Sequence, residues 1–438
     1  MKIEKDPAVR EAYSFDATGM CGKPEGVVFV ENIDEVKEVV EFANREKKII
    51  VPRGGGTGFV GGAVPPDNSI VVSLEKLDRI IDIDEKNMFV EVEAGVVTGY
   101  LNKTLEDLGY FYPPDPSSLN SCTIGGNIAT NAGGPRAVKY GVTKNYVYGL
   151  EAILGNGSIY RDARRVRKKS VGYNITDIFV GSEGTLGIVV RALLRIIKKP
   201  EKRSLVLSTF RDIYSAGKKV VEIVREIAGV STLEIMDITS IMAVRKFRSI
   251  DLPEYVEAVL MIEIDGYEEN VKTEVEKLKS ILKDSEMIMA ETREEEEKIW
   301  EIRRAISPSL MEIAPKKINE DVTVPIANLA DALLSFKRLG EKYGIPVVSF
   351  GHAGDGNIHV NVMIDDQDEK QFKNSRKLVF EIFSETVRLG GVLSGEHGIG
   401  ITKKAYLPLQ VDNSTLKLWK ELKKTFDPNF ILNPHVLL

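Results

Sequence analysis

Apolar residues in the first hundred positions form short runs separated by polar turns, and one segment has a different period. Four runs are rich in β-branched residues and predict strands; they are 27–30, 48–52, 69–73 and 88–95. Residues 33–47 instead carry apolar side chains at the spacing of one helix face. This mixture of strands and an amphipathic helix predicts an α+β domain.

The pattern changes near residue 200, after the charged stretch KKPEKRS at 198–204. Apolar side chains then recur at helical spacing in three long segments. Of two later segments, the first predicts two strands joined by a glycine loop, and the second predicts a terminal helix. The predicted helices are 213–229, 268–283 and 291–311, the strand pair is 346–364, and the terminal helix lies within 411–438. We therefore predict domains at 1–200 and 201–410, followed by a C-terminal segment, 411–438.

Composition narrows the class of protein. The chain has 438 residues, of which 43% are hydrophobic and 28% charged, and its net charge is −6, so it resembles neither a disordered chain nor a nucleic-acid binder. The two cysteines are too few for a four-cysteine zinc site or an iron–sulfur cluster within the chain. No signal peptide or transmembrane segment is evident, which predicts a cytoplasmic protein, with peripheral docking on a membrane left open.

The first candidate for chemistry is the glycine loop PRGGGTGFVGGAV at 52–64, which has six glycines between 54 and 64. Successive bare amides form an anion-binding concavity, and Arg53 and Thr57 add a charge and a hydroxyl, so a diphosphate is the natural ligand. The loop is not a P-loop, and Gly61-Gly62-Ala-Val-Pro-Pro cannot open the helix that a dinucleotide-binding fingerprint requires. A purely structural glycine turn is the alternative.

Two more glycine clusters follow, TIGGNIATNAGG at 123–134 and GSEGTLGIV at 181–189. The first lies within 113–141, a stretch so dense in small residues and turn formers that it predicts a long functional loop. Three such clusters within the first 200 residues indicate a large cofactor lying along the backbone.

Three of the four histidines lie between 352 and 397. His352 and His359 flank a Gly-Asp-Gly turn that brings the two strands together, and Glu396 and His397 follow in a second glycine-rich frame. Two imidazoles and a carboxylate suit zinc, manganese or iron(II), although this spacing is not diagnostic. Histidines buried in a core for structural reasons are the alternative.

These motifs, in this order, resemble the flavin-binding domain of vanillyl-alcohol-oxidase (PCMH) type flavoproteins. Within that superfamily they resemble the FAD-linked D-lactate dehydrogenase, glycolate oxidase and D-2-hydroxyglutarate dehydrogenase family. The resemblance implies a two-subdomain FAD-binding domain, an α/β cap domain with an antiparallel sheet, and a C-terminal segment that returns to the flavin. The residues it implies for FAD binding are Pro52, Arg53, Gly54, Gly55, Gly56, Thr57, Gly58, Pro114, Ser117, Ser118, Thr123, Gly125, Gly126, Asn127, Ala129, Thr130, Glu183, Gly187, Ile188 and Asn433. No histidine precedes 352 and the family gives Cys122 no attachment role, so we predict non-covalent FAD.

The resemblance also implies a divalent metal and a set of catalytic residues. His352, His359 and Glu396 would hold the metal, with zinc as first choice and manganese, iron or cobalt as alternatives. His397 would act as the base and Asn361 would contact substrate.

A carboxylate substrate needs a cation, and Arg303 follows Trp300 by three residues, as the family's substrate arginine does. Ser307 is its i,i+4 neighbour on the predicted helix. Lys317 is the candidate for the lysine with which the family contacts its substrate. Its spacing to Asp321 departs from that of dicarboxylate-specific members, which argues against 2-hydroxyglutarate as the substrate.

The resulting expectation is FAD-dependent, metal-assisted oxidation of a D-2-hydroxy acid to the 2-keto acid, with D-lactate as first substrate. Hydride would pass to flavin N5, and electrons would leave to a quinone or a protein acceptor, an iron–sulfur subunit among the candidates, and not to NAD. Glycolate and D-2-hydroxyglutarate are alternative substrates, and an alkyl-dihydroxyacetone-phosphate synthase-like reaction is an alternative use of the same frame. A non-catalytic electron-transfer flavoprotein subunit and a flavin-free zinc module are alternatives of other classes. A homodimer is the oligomeric expectation.

Overall fold

The computed structural model describes residues 1–248, 250 and 252–438. The chain forms two compact units, each built from more than one stretch of sequence. Unit 1 comprises Met1–Gly134, Gly141–Lys199 and Glu396–Leu438, and unit 2 comprises Pro135–Tyr140 and Pro200–Gly395.

Helices and strands alternate through both units. The helices, in chain order, are α1 (Pro7–Ala12), α2 (Ile33–Glu46), α3 (Thr98–Glu106), α4 (Ile124–Thr130), α5 (Ala137–Tyr140), α6 (Ile175–Phe179), α7 (Ile213–Glu226), α8 (Ile238–Phe247), α9 (Glu268–Ile281), α10 (Arg293–Ser309), α11 (Leu329–Tyr343), α12 (Glu369–Arg388) and α13 (Asn413–Phe426). The strands are β1 (Gly26–Phe29), β2 (Ile49–Arg53), β3 (Ser69–Ser73), β4 (Ile80–Asp84), β5 (Phe89–Glu93), β6 (Tyr110–Phe111), β7 (Val147–Leu154), β8 (Ile159–Asp162), β9 (Gly187–Arg195), β10 (Ile197–Lys198), β11 (Lys202–Phe210), β12 (Val230–Asp237), β13 (Ala258–Gly266), β14 (Glu286–Met289), β15 (Lys316–Thr323), β16 (Val347–His352) and β17 (Asn357–Ile364).

Unit 1 is built on a parallel sheet of order β1-β3-β2 and an antiparallel sheet of order β4-β5-β9-β7-β8. Helix α2 forms where its spacing predicts. Asn32 caps it by accepting the Glu35 amide, and Val36, Val39 and Val40 on its buried face join the core of the unit. The four predicted strands correspond to β1, β2, β3 and β5, so the local pattern is confirmed there.

The last part of the chain is tied to the parallel sheet of unit 1. Leu432 forms a parallel bridge with Ile50 of β2, and the Ile50 amide donates to the Ile431 carbonyl at 2.7 Å. This pairing fixes the position of Asn433, whose own amide donates to the Ile50 carbonyl at 3.0 Å.

Unit 2 is built on one antiparallel sheet of seven strands, in the order β14-β11-β13-β12-β16-β17-β15. Helices α8 and α10 bury their apolar faces against it through Ile241, Val244, Ile299 and Ile306. The antiparallel sheet expected for the second domain is confirmed, as are α7, α9 and α10.

The prediction of an irregular loop across 113–141 is wrong at its centre, where α4 forms despite two glycines. The Thr123 side chain caps this helix by accepting the Gly126 amide, and Asn131 ends it in the left-handed conformation at φ 53°. Burial of Ile124 and Ile128 offsets the low helix propensity of Gly125 and Gly126. No helix in the described part of the chain combines the length and apolarity needed to cross a bilayer.

Candidate functional site

The largest group of predicted site residues lines one cleft, and all of its lining belongs to unit 1. The cleft has an empty volume of about 1280 Å³, including the part open to solvent. Its lining includes all the predicted FAD-binding residues except Pro114, and Pro116 lies there instead. Residues that sequence reasoning did not name also line it, among them Phe59, Val60, Leu74, Cys122, Ala132, Gly133, Phe179, Ser182, Gly184 and Val189.

The glycine loop lines this cleft with backbone atoms, because neighbouring protein atoms leave no space for side chains at Gly54 and Gly55. A Cβ on Gly54 would lie 2.2 Å from Thr123 Oγ1, and one on Gly55 would lie 2.2 Å from the Ser121 carbonyl oxygen. Gly56 has φ 65°, a conformation that favours glycine. The loop therefore presents bare amides, as expected of a surface that binds a diphosphate.

Arg53, at the end of β2, packs its side chain between the glycine loop and the N-terminal segment. Its Nη1 donates to the Phe15 carbonyl at 2.6 Å, and its guanidinium lies 5.3 Å from the centre of the Tyr13 ring. A Cβ on Gly56 would lie 2.2 Å from Arg53 Nη2. Burial lowers the pKa of Arg53, although an arginine remains charged at ordinary pH. The side chain thus ties the N-terminal segment to the glycine loop.

Glu183 connects the third glycine cluster to the segment that returns to unit 1. Its two carboxylate oxygens accept the Ile399 amide at 2.8 Å and the Gly400 amide at 2.7 Å. Burial raises the pKa of Glu183 to about 7, in spite of these two hydrogen bonds and the positive charge of Lys403. The carboxylate therefore holds backbone that lies just beyond Glu396 and His397.

Glu396 and His397 both line the cleft of unit 1. The His397 ring lies 5.1 Å from the Phe59 ring, and its Nε2 lies 3.8 Å from Glu396 Oε1. A Cβ on Gly133 would lie 3.2 Å from Glu396 Oε2, so this carboxylate packs over the second glycine cluster. The predicted base and the predicted carboxylate ligand therefore lie at the surface that the cofactor would occupy.

Asn433 also lines the cleft, and its side chain is held at one end only. Its Nδ2 donates to the Gly62 carbonyl at 3.1 Å and to the Glu183 carbonyl at 3.0 Å. Its Oδ1 is buried and accepts no hydrogen bond from any residue that the structure describes. A buried acceptor without a donor is costly, so this atom fits a cofactor that supplies an N–H or O–H group. The bare amides and this orphaned acceptor together fit FAD.

The second group of predicted residues lies in unit 2, where the turn between β16 and β17 brings two imidazoles together. His352 ends β16 and His359 lies in β17; both are buried. Their ring centres are 5.1 Å apart with the planes at 85°, and each ring has a nitrogen within 4.8 Å of one on the other. Gly356, at φ 80°, permits the tight turn between the strands. The two rings are therefore close enough for both to contact a single metal ion.

A fully buried carboxylate, Glu234 of β12, lies beside this pair. It stands opposite His352 in the β12–β16 register, contacts His352 Nδ1 through Oε1, and accepts Arg303 Nε at 2.5 Å through Oε2. Burial alone would raise the pKa of Glu234, but electrostatic attraction and hydrogen bonds from His352 and Arg303 hold it below the ordinary value of a glutamate. Sequence reasoning missed Glu234; its only signal is a glutamate in the middle of the buried run VSTLEIMD.

The predicted residues Arg303, Ser307 and Lys317 lie near this histidine pair in unit 2. The Arg303 guanidinium lies 4.8 Å from the centre of the Phe350 ring, which in turn lies 5.4 Å from the His359 ring. One turn along α10, Ser307 accepts a hydrogen bond from Lys317 Nζ at 2.9 Å, and burial lowers the pKa of Lys317.

Asn361, two residues after His359 in β17, is fully buried and donates to the Val348 carbonyl at 3.4 Å. The last residue of unit 2, Gly395, is held by Asp321, whose Oδ2 accepts the Gly395 amide at 2.7 Å. Asp321 stands opposite His359 in the β15–β17 register. Glu396 follows Gly395 directly in the chain.

Two family models match the chain, "FAD binding domain" over residues 24–163 and "FAD linked oxidases, C-terminal domain" over residues 199–437. The chain belongs to the FAD-linked oxidase family. It is an FAD-linked oxidoreductase of the D-lactate, glycolate and D-2-hydroxyglutarate dehydrogenase group. The family resemblance drawn from the glycine and histidine motifs is therefore confirmed.

Curated members of the family match almost the whole chain. "Glycolate oxidase subunit GlcD" of Bacillus subtilis is 38% identical over 98% of this chain and 92% of that protein. "D-lactate dehydrogenase" of Archaeoglobus fulgidus is 34% identical over 97% and 95%. "D-2-hydroxyglutarate dehydrogenase" of Stutzerimonas stutzeri is 30% identical over 99% and 95%. The three differ in named substrate, so relatedness alone does not identify the acid.

Solved structures extend the family's fold to more distant flavoproteins. p-Cresol methylhydroxylase has a TM-score of 0.80 at 17% identity, covering 98% of this chain and 92% of that one. Alkyldihydroxyacetonephosphate synthase has a TM-score of 0.76 at 20% identity, covering 99% and 83%. The PCMH-type fold expected from the glycine clusters is thereby confirmed.

Proposed function

We propose that this FAD-linked oxidoreductase oxidises a D-2-hydroxy acid with the help of a divalent metal, and that D-lactate is its first substrate. The observation that carries the proposal is a pair of buried histidines beside an arginine. His352 and His359 lie against each other, and Glu234 contacts both His352 and Arg303. A protein that only relayed electrons through its flavin would have no use for this buried polar cluster.

The cleft of unit 1 would bind FAD non-covalently, with the diphosphate against the amides of 54–58. The bound flavin supplies the hydride acceptor, the part of the chemistry that side chains cannot provide.

His352 and His359 are the proposed metal ligands of unit 2, and Glu396 is the proposed third. Glu396 comes directly after Gly395, whose amide is fixed by Asp321 opposite His359 in the sheet. Two imidazoles and one carboxylate suit zinc, with manganese, iron or cobalt as alternatives. The metal supplies a Lewis acid for the substrate hydroxyl.

Arg303 is proposed to bind the substrate carboxylate. Glu234 accepts Nε of Arg303, so the two terminal guanidinium nitrogens stay available to form a bidentate pair with that carboxylate. His397 is proposed to take the hydroxyl proton as general base, and Asn361 to contact the substrate. The substrate loses that proton and a hydride from Cα and becomes a 2-keto acid. The preference for the D-isomer rests on the family and not on these contacts.

One observation favours D-2-hydroxyglutarate as a second candidate. The half-buried ammonium of Lys317 lies 2.9 Å from Ser307 Oγ, one helical turn along α10 from Arg303. A second cation at that spacing suits the far carboxylate of a dicarboxylic acid. Glycolate, which is smaller than lactate, needs no such contact.

The substrate is tested by anaerobic reduction of the bound flavin, followed by its absorbance. We expect D-lactate to give the highest kcat/KM, glycolate a lower one, and L-lactate no bleaching. A clear preference for D-2-hydroxyglutarate that Lys317→Met abolishes would establish the second candidate instead. A flavin that none of the four acids reduces would overturn the proposed function.

Electrons would then pass to an acceptor other than NAD. The name of the Bacillus subtilis relative describes a subunit of a glycolate oxidase, which supports a protein acceptor or an iron–sulfur partner subunit for this chain as well. A quinone is the alternative acceptor, and a homodimer remains the expectation for the chain alone.

A further inference from the structure

We propose that Glu234 is a positioning residue that orients the metal ligand His352 and the substrate arginine Arg303 through one shared carboxylate. The inference rests on the proposed function, because it concerns the roles assigned there to these two residues. It adds a residue that none of the sequence motifs contains, and it predicts that metal binding and substrate binding depend on one side chain.

The burial of Glu234 is the first reason. Its side chain is fully buried on β12, which is flanked by β13 and β16 in the sheet. An ionised carboxylate in such a place destabilises the fold strongly unless charged partners and hydrogen bonds compensate for its lost hydration. Each of its oxygens has one such partner, His352 on one side and Arg303 on the other.

The contact with His352 decides which ring nitrogen faces a metal. An ionised carboxylate only accepts hydrogen bonds, so His352 Nδ1 must carry the proton in its contact with Glu234. Nε2 of the neutral ring is then left with its lone pair, which is the form in which imidazole binds a metal. Metal-binding histidines commonly donate their other N–H group to a carboxylate in this way.

The contact with Arg303 decides how the guanidinium is presented. Glu234 takes Nε, while the Phe350 ring lies 4.8 Å from the guanidinium carbon. These two contacts fix the plane of the group and leave its terminal nitrogens for a carboxylate fork. Removing the carboxylate would release both the imidazole and the guanidinium at once.

A matched control exists in the neighbouring strand. Glu263 of β13 is also a buried carboxylate of unit 2, but its partners are Arg136 and Ser231. Glu263→Gln therefore removes the same charge from the same sheet without touching His352 or Arg303. Any effect specific to Glu234→Gln reports on the proposed positioning and not on the general loss of a buried charge.

The test uses the full-length FAD-bound protein labelled with ¹⁵N-histidine, in which there are only four histidines to assign. In the metal-free state we expect His352 to be the Nδ1–H tautomer in the wild type and in Glu263→Gln. In Glu234→Gln we expect the Nε2–H tautomer to appear, because a carboxamide can donate as well as accept. This readout needs neither metal nor substrate, so it stands even where the proposed reaction fails.

Two binding measurements complete the test. In Glu234→Gln we expect zinc affinity, measured by competition with a chelator, to fall 10- to 100-fold and the KM for D-lactate to rise, with unchanged FAD content. Equal tautomers and equal zinc affinities in the two Gln variants would overturn the inference. If Glu234→Gln does not fold, Glu234→Asp replaces it, because the shorter side chain keeps the charge but lies farther from His352 and Arg303. A wild-type His352 tautomer together with wild-type zinc affinity in that variant would also overturn the inference.

Discussion

Glu183 is a buried carboxylate that contacts the backbone directly after the proposed base, His397. Because burial raises its pKa to about 7 in the folded protein, against 4.5 for an ordinary glutamate, the folded state binds a proton more tightly than the unfolded chain does. Its contribution to stability is therefore greatest below pH 4.5 and is lost as the pH rises toward 7.

This shift gives a pH prediction. Between pH 4.5 and 7.5 the free energy of unfolding should fall more steeply in the wild type than in Glu183→Gln, by up to about 3 kcal/mol over the range. Urea unfolding at several pH values, with each protein compared only with itself, measures this difference. Parallel pH profiles for the two proteins would show that Glu183 does not titrate in this window.

The glycine loop allows the packing role of a glycine to be separated from its role in binding. A Cβ on Gly55 would strike the Ser121 carbonyl, whereas a Cβ on Gly58 would meet no protein atom within 4 Å. We expect Gly55→Ala to lower the stability of the FAD-free protein by about 1–3 kcal/mol through overpacking.

We expect Gly58→Ala to leave that stability unchanged and to weaken FAD binding, because its methyl group projects into the cofactor cleft. Isothermal titration with FAD and thermal unfolding separate the two effects; unchanged FAD affinity in Gly58→Ala would contradict this placement of the cofactor.

At the scale of single residues, the sequence predicted the parts of the site that carry unusual residue types. Histidine is rare in this chain and glycine clusters stand out, so His352, His359 and the glycine loop were identifiable. Glu234 was not, because one glutamate among 65 acidic residues has no distinguishing spacing until the sheet brings β12 beside β16. The anchoring contact from Arg53 to Phe15 was hidden for the same reason.

At the scale of elements, an ion pair between α13 and the residue that follows it holds the C-terminal segment in place. Lys423 Nζ, which is nearly completely buried, contacts Asp427 Oδ2 at 2.5 Å and the carbonyls of Thr185 and Leu432 at 2.6 Å each. Asp427 in turn accepts the amides of Ile431 and Leu432. These bonds fix the segment that presents Asn433 to the cleft.

Removing Lys423 should therefore affect both stability and cofactor binding. We expect Lys423→Ala to lower the free energy of unfolding by about 3–5 kcal/mol, because Asp427 is left buried without its charge partner. FAD affinity should fall with it, since Asn433 loses its fixed position. Lys424→Ala, which removes the exposed neighbouring lysine, is the control and should change neither quantity by much. Similar behaviour of the two variants in denaturant titrations would contradict the structural role of the pair.

Helices with a regular apolar face were predictable, while α4 was not. Helix α2 repeats apolar residues over four turns, and that period is visible without any tertiary contact. Helix α4 has only seven residues, two of them glycine, and depends on the Thr123 cap and on burial of its two isoleucines. Tertiary contacts outweigh local propensity here, so the sequence suggested a loop.

At the scale of the whole molecule, the chain passes between its two units at four junctions, after residues 134, 140, 199 and 395. The sequence predicted a domain boundary near 200, because the stretch there is charged and precedes a new helical pattern. The inclusion of 135–140 in unit 2 was not evident, since it depends on contacts made far along the chain, such as the ion pair between Lys139 and Asp265. The family could be recognised from motifs, whereas the particular acid depends on side-chain placement that motifs do not record.

The central claim is that oxidation of a D-2-hydroxy acid by the bound flavin depends on the metal site at His352 and His359. The most direct measurement is the anaerobic rate of flavin bleaching by D-lactate, recorded by stopped flow for the metal-loaded protein, for the chelator-stripped protein and after zinc is restored. We expect rapid bleaching that is lost on stripping and regained with zinc, and a several-fold slower rate with D-lactate deuterated at Cα. Bleaching at an unchanged rate in the stripped protein would contradict the account.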